Sequence, residues 1–147
     1  MADWIQYKLK GAEELSRVFK TLPAEIQRQV VIPAAKDAMD IVKQDAIRRA
    51  AIIDRPETIP DISKNIDMIE DKKFSAETGA TKISVGVRKS KRGQRGGNTF
   101  WWWWVELGTA RSRAQPFMRN ALGQNQQAVF QEFISSCKFQ LVKLGLN

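Results

Sequence analysis

Apolar positions in the first fifty residues follow the spacing of amphipathic helices. Residues 12–20 suit a helix of about two turns, and Pro23 suits the first turn of a second, longer helix. The apolar face of this second helix repeats every three or four residues as far as about residue 50: Ile26, Val30, Ala34, Ala38, Ile41 and Val42. Pro33 lies inside the pattern and removes a backbone hydrogen bond, so we predict a kink near Val31 or a break into two helices. Residues 4–10 alternate weakly and predict a short strand ending at Gly11.

The pattern weakens over residues 51–80, where Pro56 and Pro60 interrupt any periodicity. We predict that this segment is a partly ordered connector. Ile62, Ile66 and Ile69 fit one face of a helical turn, whereas residues 65–69 equally fit a strand. The pattern does not separate these two alternatives.

A hairpin is predicted after the connector. Ile83, Val85 and Val87 occupy alternate positions of residues 82–88, which is typical of a strand. Residues 88–98 combine glycines with many cations and predict an exposed loop. The next apolar segment would then return as the second strand, so the predicted antiparallel hairpin spans residues 82–106.

Four consecutive tryptophans form that second segment: Trp101, Trp102, Trp103 and Trp104. On a strand, alternate side chains point to opposite faces, so both faces of this strand would be aromatic. A half-solvated sheet needs only one apolar face, and the second face therefore requires a cover. That cover is either another subunit or a helix of the same domain, and the sequence leaves both alternatives open. The four tryptophans are our candidate subunit-interface residues.

The C-terminal third predicts one last helix. Pro116 suits its N-terminus, an apolar stripe runs from Phe117 to Leu144, and Gly145 is placed to end it. The predicted fold class is α+β: amphipathic helices packed on a small antiparallel sheet that contains a long-loop hairpin, closed by a C-terminal helix. At 147 residues, we expect a single domain over residues 1–147.

Composition removes several classes of chemistry. The chain has no histidine and a single cysteine, Cys137, so it has no Ser-His or Cys-His pair, no cysteine-histidine zinc cluster and no internal disulfide. No glycine-rich loop precedes a helix in a phosphate-binding pattern. We therefore expect a non-enzyme without cofactor or metal. The sequence also contains no signal peptide and no apolar run near the ~20 residues of a membrane span, so we expect it to fold in the cytoplasm.

The net charge of +8 is concentrated in residues 78–131, which carry nine basic side chains and one acidic one, Glu106. Five of the cations crowd into the predicted loop: Arg88, Lys89, Lys91, Arg92 and Arg95. They are candidates for contact with DNA or with an acidic partner, and the alternative is a solvated hairpin tip. We expect Glu106 to pair with Arg111, Arg113 or Arg119 and to fix the following turn, rather than to act as a catalytic acid.

Residues 105–122 carry a resemblance to a known family. Its two matching parts are Val105-Glu106-Leu107-Gly108-Thr109 and Pro116-Phe117-Met118-Arg119-Asn120-Ala121-Leu122. At this spacing they resemble the signature of the small neck or tail-completion proteins of long-tailed double-stranded DNA phages. That family usually has Phe where this chain has Leu107 and Pro where it has Asn120. The resemblance covers roughly residues 26–133, but residues 51–60 lack the Ala-Pro-Val-Asp-Thr-Gly segment common in the family.

The resemblance implies a structural virion protein at the head-to-tail junction, assembled in the host cytoplasm. Such a protein would form a homo-oligomeric ring, with six-fold order favoured, and would join the tail to the DNA-filled head. Its partners would be head-completion and tail-terminator or tail-tube proteins, with packaged double-stranded DNA in the channel and no membrane.

The matching residues would mainly determine the fold. Gly108 would permit a turn, Pro116 would preset the helix start, and Phe117 would anchor that helix under the sheet, with Glu106, Thr109 and Arg119 completing the set. An alternative function is that of a stand-alone, sequence-nonspecific nucleic-acid-binding protein. Its basic loop would grip phosphates while exposed tryptophans stack on single-stranded bases.

Overall fold

The computed structural model describes residues 11–53, 60–89 and 96–146, so the strand predicted at residues 4–10 lies outside the described part. Within that part the chain forms seven helices and one two-stranded antiparallel sheet, which confirms the predicted α+β class. The elements are α1 (Ala12–Thr21), α2 (Ala24–Ile53), α3 (Ile62–Asn65), β1 (Ile66–Glu70), α4 (Lys72–Thr78), β2 (Ile83–Val87), α5 (Trp102–Leu107), α6 (Met118–Gln124) and α7 (Gln126–Lys143).

Helix α2 is the axis of the fold and continues through Pro33 for 30 residues. The predicted break into two helices is therefore wrong. A proline inside a helix costs about 3 kcal/mol, but Val30, Ala34 and Ala38 are buried on both sides of Pro33, and α7 packs along α2. Burial of this continuous face holds the two halves in one helix.

Two hydrophobic clusters lie in succession along α2. The first joins α1, the N-terminal half of α2 and α7: Leu15, Val30, Ala34, Ile134, Cys137 and Leu141. The second joins the C-terminal half of α2 to the sheet and α6: Val42, Ala46, Ala50, Ile62, Ile66, Phe117 and Ala121. At 1.5 Å per residue, Val30 and Ala46 are about 24 Å apart along the helix. The two ends of the molecule therefore have separate apolar centres.

The sheet pairs β2 with β1, with Ile66 opposite Val87 and Met68 opposite Val85. The predicted hairpin of β2 with the tryptophan segment is therefore wrong. The partner strand comes from the predicted connector, where residues 62–69 form a helical turn followed by a strand, so each alternative describes part of the segment. Ion pairs of β1 with α2, Lys36–Glu70 at 2.8 Å and Lys43–Asp67 at 3.4 Å, fasten the sheet to that helix.

The predicted last helix is divided at Asn125 into α6 and α7. The side-chain amide of Asn125 donates hydrogen bonds to the Ala121 carbonyl and to the carboxylate of the buried Asp45 on α2, both at 2.7 Å. Burial raises the pKa of Asp45, but its hydrogen bonds with Arg49 and Asn125 outweigh burial and hold the pKa below its usual value. Asp45 thus ties the α6–α7 junction to α2.

Candidate assembly interface

The tryptophan segment is a helix, α5, and the predicted strand is wrong. The Trp102 amide donates to the Thr99 carbonyl at 3.1 Å, and the Gly108 amide donates to the Trp104 carbonyl at 2.8 Å, so both helix ends are closed by backbone hydrogen bonds. Successive side chains of a helix are rotated by about 100° rather than 180°. The four tryptophans therefore divide into an inner pair and an outer pair.

The inner pair belongs to the second hydrophobic cluster. Trp101, Trp102 and Val105 pack against it, and the edge of the Trp102 ring contacts Phe117, with centroids 6.4 Å apart and ring planes at 70°. Phe117 is fully buried beside Ile66 of β1, in the anchoring position that the sequence predicted. Trp101 and Trp102, which we predicted as interface residues, are half-buried core residues.

The outer side of α5 forms an aromatic face, which consists of Phe100, Trp103, Trp104 and Leu107. Their exposed fractions are 60%, 47%, 44% and 61%. Trp104 contacts Phe100 edge to face at 5.7 Å and Trp103 at 5.6 Å, so the rings form one continuous patch. With about 200 Å² for each large side chain, the patch exposes on the order of 400 Å², the size of the largest apolar patch on a typical monomer, which is often functional.

Sequence reasoning missed Phe100 and Leu107 as members of this face. The signal was present, because residues 100, 103, 104 and 107 follow the i, i+3, i+4, i+7 spacing of one helix face. A run of four tryptophans also satisfies strand alternation, and that interpretation concealed the helical pattern.

Two of the five predicted basic residues lie at the edge of the aromatic face. Arg88 and Lys89 follow β2 and line, with Phe100, Trp102 and Trp103, a cavity of about 360 Å³. Both side chains are exposed. The Arg88 guanidinium also pairs with Asp67 at 3.0 Å, which fixes it against β1. The other three predicted cations, Lys91, Arg92 and Arg95, lie outside the described residues.

A buried amide positions the segment that leads into α5. Asn65 is fully buried, and its side-chain nitrogen donates to the Gly97 carbonyl at 2.9 Å and to the Thr99 hydroxyl at 2.7 Å. Its side-chain oxygen accepts from the Gly96 amide at 3.1 Å. A Cβ at Gly96 would lie 2.3 Å from the Asp61 carbonyl oxygen, so this position excludes any larger residue. The periodic pattern gave no signal for this cluster, because its members are separated by about thirty residues.

Glu106 lies near the C-terminal end of α5 and joins it to the start of α6. Its buried carboxylate accepts hydrogen bonds from the backbone amides of Phe117 at 2.8 Å and of Met118 and Arg119 at 2.9 Å, which open α6. The Arg119 guanidinium donates to the same carboxylate at 3.2 Å and to the Glu106 carbonyl at 2.8 Å. Of the three arginines considered, Arg119 is therefore a partner of Glu106, as one of the alternatives predicted.

The electrostatic balance at Glu106 follows from these contacts. Burial raises the pKa of the carboxyl group, but the backbone amides of Arg119, Met118 and Phe117, together with the Arg119 side chain, outweigh burial and lower the pKa below its usual value. The group is therefore held as a carboxylate that caps a helix. This role is structural and needs no substrate.

The turn after α5 requires its glycine. Gly108 has a φ of +79°, and a Cβ there would lie 2.7 Å from the Ala114 amide nitrogen. The Thr109 hydroxyl accepts the Ser112 amide at 3.0 Å and closes the loop. Pro116 lies just before Phe117, the capping residue of α6, and two residues before the helix itself. The sequence predicted Pro116 at the helix start, but the structure places it before the cap, where it shapes the approach to the helix.

Comparisons of this chain with protein-family models, with characterised proteins and with solved structures give no significant match. The resemblance of residues 105–122 to phage neck and tail-completion proteins therefore stays a prediction. Across residues 11–53, 60–89 and 96–146, no helix is both long enough and apolar enough to cross a bilayer.

Proposed function

We propose that this chain is a structural virion protein of a tailed phage, forming a homo-oligomeric ring at the head-to-tail junction. In this role it completes the neck or tail and joins the tail to the DNA-filled head, without catalysis and without a cofactor. The observation that carries the proposal is the aromatic face, which the described residues leave half-exposed. The resemblance of residues 105–122 to the phage signature supplies the context.

Rigidity of the aromatic face favours assembly. The Asn65 hydrogen bonds fix the chain before α5, and the Glu106 cap with the Gly108 turn fixes the chain after it. Preorganised aromatic side chains lose little entropy on association, and they are enriched at the energetic centres of protein interfaces. The motif residues thus position a recognition surface rather than a reactive group.

The proposal also gives the basic block a role. Arg88 and Lys89 border the aromatic face, and residues 78–131 carry the excess positive charge of the chain. In a ring this charge meets either the DNA of the channel or an acidic surface of a neighbouring head-completion, tail-terminator or tail-tube ring. Contacts with DNA would be sequence-independent and would weaken with salt.

One observation favours a second candidate, a sequence-nonspecific nucleic-acid-binding protein. The cavity beside α5 brings Phe100 and Trp103 together with Arg88 and Lys89. An aromatic ring that stacks on a base beside a cation that meets its phosphate is the usual arrangement for single-stranded nucleic acid. This candidate predicts binding by a monomer, whereas the ring predicts self-association without nucleic acid.

Light scattering on nuclease-treated protein separates the two candidates. Mass is measured at low and high salt, with and without a short oligonucleotide, for the wild type and for the double variant Trp103→Ala/Trp104→Ala. Phe139→Ala is the matched control, because Phe139 is 65% exposed on α7, away from the aromatic face. Trp102 is unsuitable, because its loss would leave a cavity beside Phe117.

The ring predicts a salt-resistant oligomer without DNA that the double variant loses and Phe139→Ala keeps. A monomer whose indole fluorescence is quenched by oligonucleotide, in a strongly salt-dependent way, would favour the nucleic-acid-binding candidate. A monomer indifferent to DNA would contradict self-assembly by this chain.

A further inference from the structure

The aromatic face alone is too small to hold a stable ring. At about 25 cal/mol per Å², burial of about 400 Å² contributes on the order of 10 kcal/mol. Association costs an estimated 4–15 kcal/mol in lost freedom and side-chain ordering. The face therefore needs a complementary apolar surface on the opposite subunit, so that both partners bury area.

The described residues contain such a surface away from α5, which we name the apolar groove. It lies where α1, α2 and α7 meet, has a volume of about 350 Å³, and is lined by the apolar side chains Leu15, Phe19, Val31, Phe130, Phe133 and Ile134. Pockets that accept small ring compounds have volumes of about 300–1,000 Å³. The groove therefore has room for one or two aromatic side chains.

Phe130 is a groove residue that the described part of the chain leaves partly uncovered. It is seven and eleven residues before Cys137 and Leu141, so all three lie on the same side of α7. Cys137 and Leu141 are buried, whereas Phe130 is 46% exposed. The apolar stripe of α7 therefore extends to Phe130, beyond the part of α7 that α1 covers.

The groove and the aromatic face are formed by different elements of one molecule, since α1, α2 and α7 line the groove whereas α5 and Phe100 form the face. Val31 of the groove and Ala46, which belongs to the cluster beneath α5, are fifteen residues apart on α2, or about 22 Å along the helix. The aromatic face would therefore enter the groove of a second copy.

We propose that the aromatic face of one copy docks into the apolar groove of the next. This inference rests on the proposed ring function and specifies its subunit interface. Burial of the aromatic face and of the partly exposed groove side chains supplies the apolar centre of the contact, and polar rims would extend it to the ~1,200–2,000 Å² of a stable interface. Contact between two different surfaces of the same chain is heterologous, and it closes into a ring when the rotation per subunit divides a full turn.

Charge argues against the other self-contact, in which two aromatic faces meet about a two-fold axis. Arg88 and Lys89 border the aromatic face, so a two-fold pairing would bring like charges together. The groove end has mixed charge instead, since the exposed acids Glu13, Glu14 and Glu132 lie on the helices that form it, among lysines and arginines. Docking of face into groove would bring Arg88 and Lys89 to a surface that carries acids as well as cations.

Complementation between two variants tests the inference. The face variant, Trp103→Ala/Trp104→Ala, loses the aromatic face and keeps its groove. The groove variant is Ser16→Arg. Ser16 is exposed and lines the groove, so the long arginine side chain would block the groove while the aromatic face stays intact. Ser135→Arg, the same change at an exposed serine of α7 outside the groove, is the matched control.

Light scattering should find each of these two variants monomeric alone, and the Ser135→Arg control assembled as the wild type is. An equimolar mixture of the two should form a heterodimer of twice the 16.7 kDa monomer mass. It can form only one contact, between the intact face of one variant and the intact groove of the other. A two-fold interface between aromatic faces predicts no rescue in the mixture.

Disulfide cross-linking provides a second measurement that does not depend on affinity. Trp104→Cys and Ser16→Cys each add one exposed thiol, while the natural Cys137 is buried. Oxidation should link the two variants when mixed and should leave each one alone unlinked.

The outcomes separate this inference from the proposed function. If the wild type forms a ring and Ser16→Arg assembles equally well, the face-to-groove contact is wrong although the ring stands. The same conclusion follows if the wild type forms a ring but the mixed variants give neither a heterodimer nor a cross-link. A wild type that stays monomeric at all concentrations would overturn both.

Discussion

Replacement of Glu106 by Gln removes the charge that caps α6 while keeping the shape of the side chain. In the native protein, one carboxylate oxygen accepts the amides of Phe117 and Met118, and the other accepts the amide and guanidinium of Arg119. A glutamine has one accepting oxygen, so its NH₂ group must face one of these two donor pairs. Glu106→Gln therefore keeps at most two of the four hydrogen bonds.

The loss can be sized from those contacts. Each hydrogen bond to a charged group contributes about 1.5–3 kcal/mol, and a buried donor left unpaired costs about 1–3 kcal/mol. Allowing for relaxation of the exposed part of Arg119, we expect Glu106→Gln to lower the free energy of unfolding by about 2–4 kcal/mol. With a urea slope of ~2 kcal/mol per M, the middle of the usual range, this is a fall of about 1–2 M in the urea midpoint.

The assay is urea unfolding followed by tryptophan fluorescence at equal protein concentrations, at pH 7 and near pH 3.5. The folded-state pKa of Glu106 lies below its usual value of about 4.5, so its stabilisation is present above that pH and is lost as the pH falls through the folded-state pKa. The difference between the wild type and Glu106→Gln should therefore shrink at the lower pH.

Glu132→Gln is the matched control, because Glu132 is exposed on α7. It should change the free energy of unfolding by no more than about 0.5 kcal/mol at either pH. If Glu106→Gln unfolds at the same urea concentration as the wild type at pH 7, the capping role derived from the structure is wrong.

Three further measurements test the supports of the aromatic face and of the core. Gly108→Ala should destabilise the fold by about 2–4 kcal/mol in urea, because the positive φ and the 2.7 Å approach to Ala114 both oppose a Cβ. The control Gly123→Ala, which has open space in α6, should be neutral or slightly stabilising. Asn65→Ala loses three hydrogen bonds to residues 96–99 and should therefore lower the free energy of unfolding by about 2–4 kcal/mol in the same assay. It should also expose Trp102 to quenching by iodide. An unchanged urea midpoint would contradict this prediction. Cys137 should stay unreactive towards a thiol reagent at pH 8 until the protein unfolds, because burial raises its pKa to about 11, and rapid labelling of folded protein would refute its burial.

Local patterns were enough to predict much of this fold. The apolar faces of α1, α2 and α7 repeat at helical spacing, and the alternation of Ile83, Val85 and Val87 marked β2. Pairing of Glu106 with an arginine followed from the position of a lone acid among cations, although the choice of Arg119 over Arg111 and Arg113 came from the structure, and the need for glycine at Gly108 followed from the turn. These features depend on residues close in sequence, so the sequence itself determined them.

Tertiary contacts determined the rest. A run of four tryptophans suits a strand or a helix equally. Asn65, more than thirty residues earlier, fixes the entry to α5, and Glu106 joins the end of α5 to α6, so that the segment is held as a helix. The continuity of α2 through Pro33 likewise depends on packing against α7. Such contacts join residues far apart in the chain, where no periodic pattern records them. Only the folded structure therefore shows that the aromatic face and the apolar groove are separate surfaces, each formed by residues far apart in the chain.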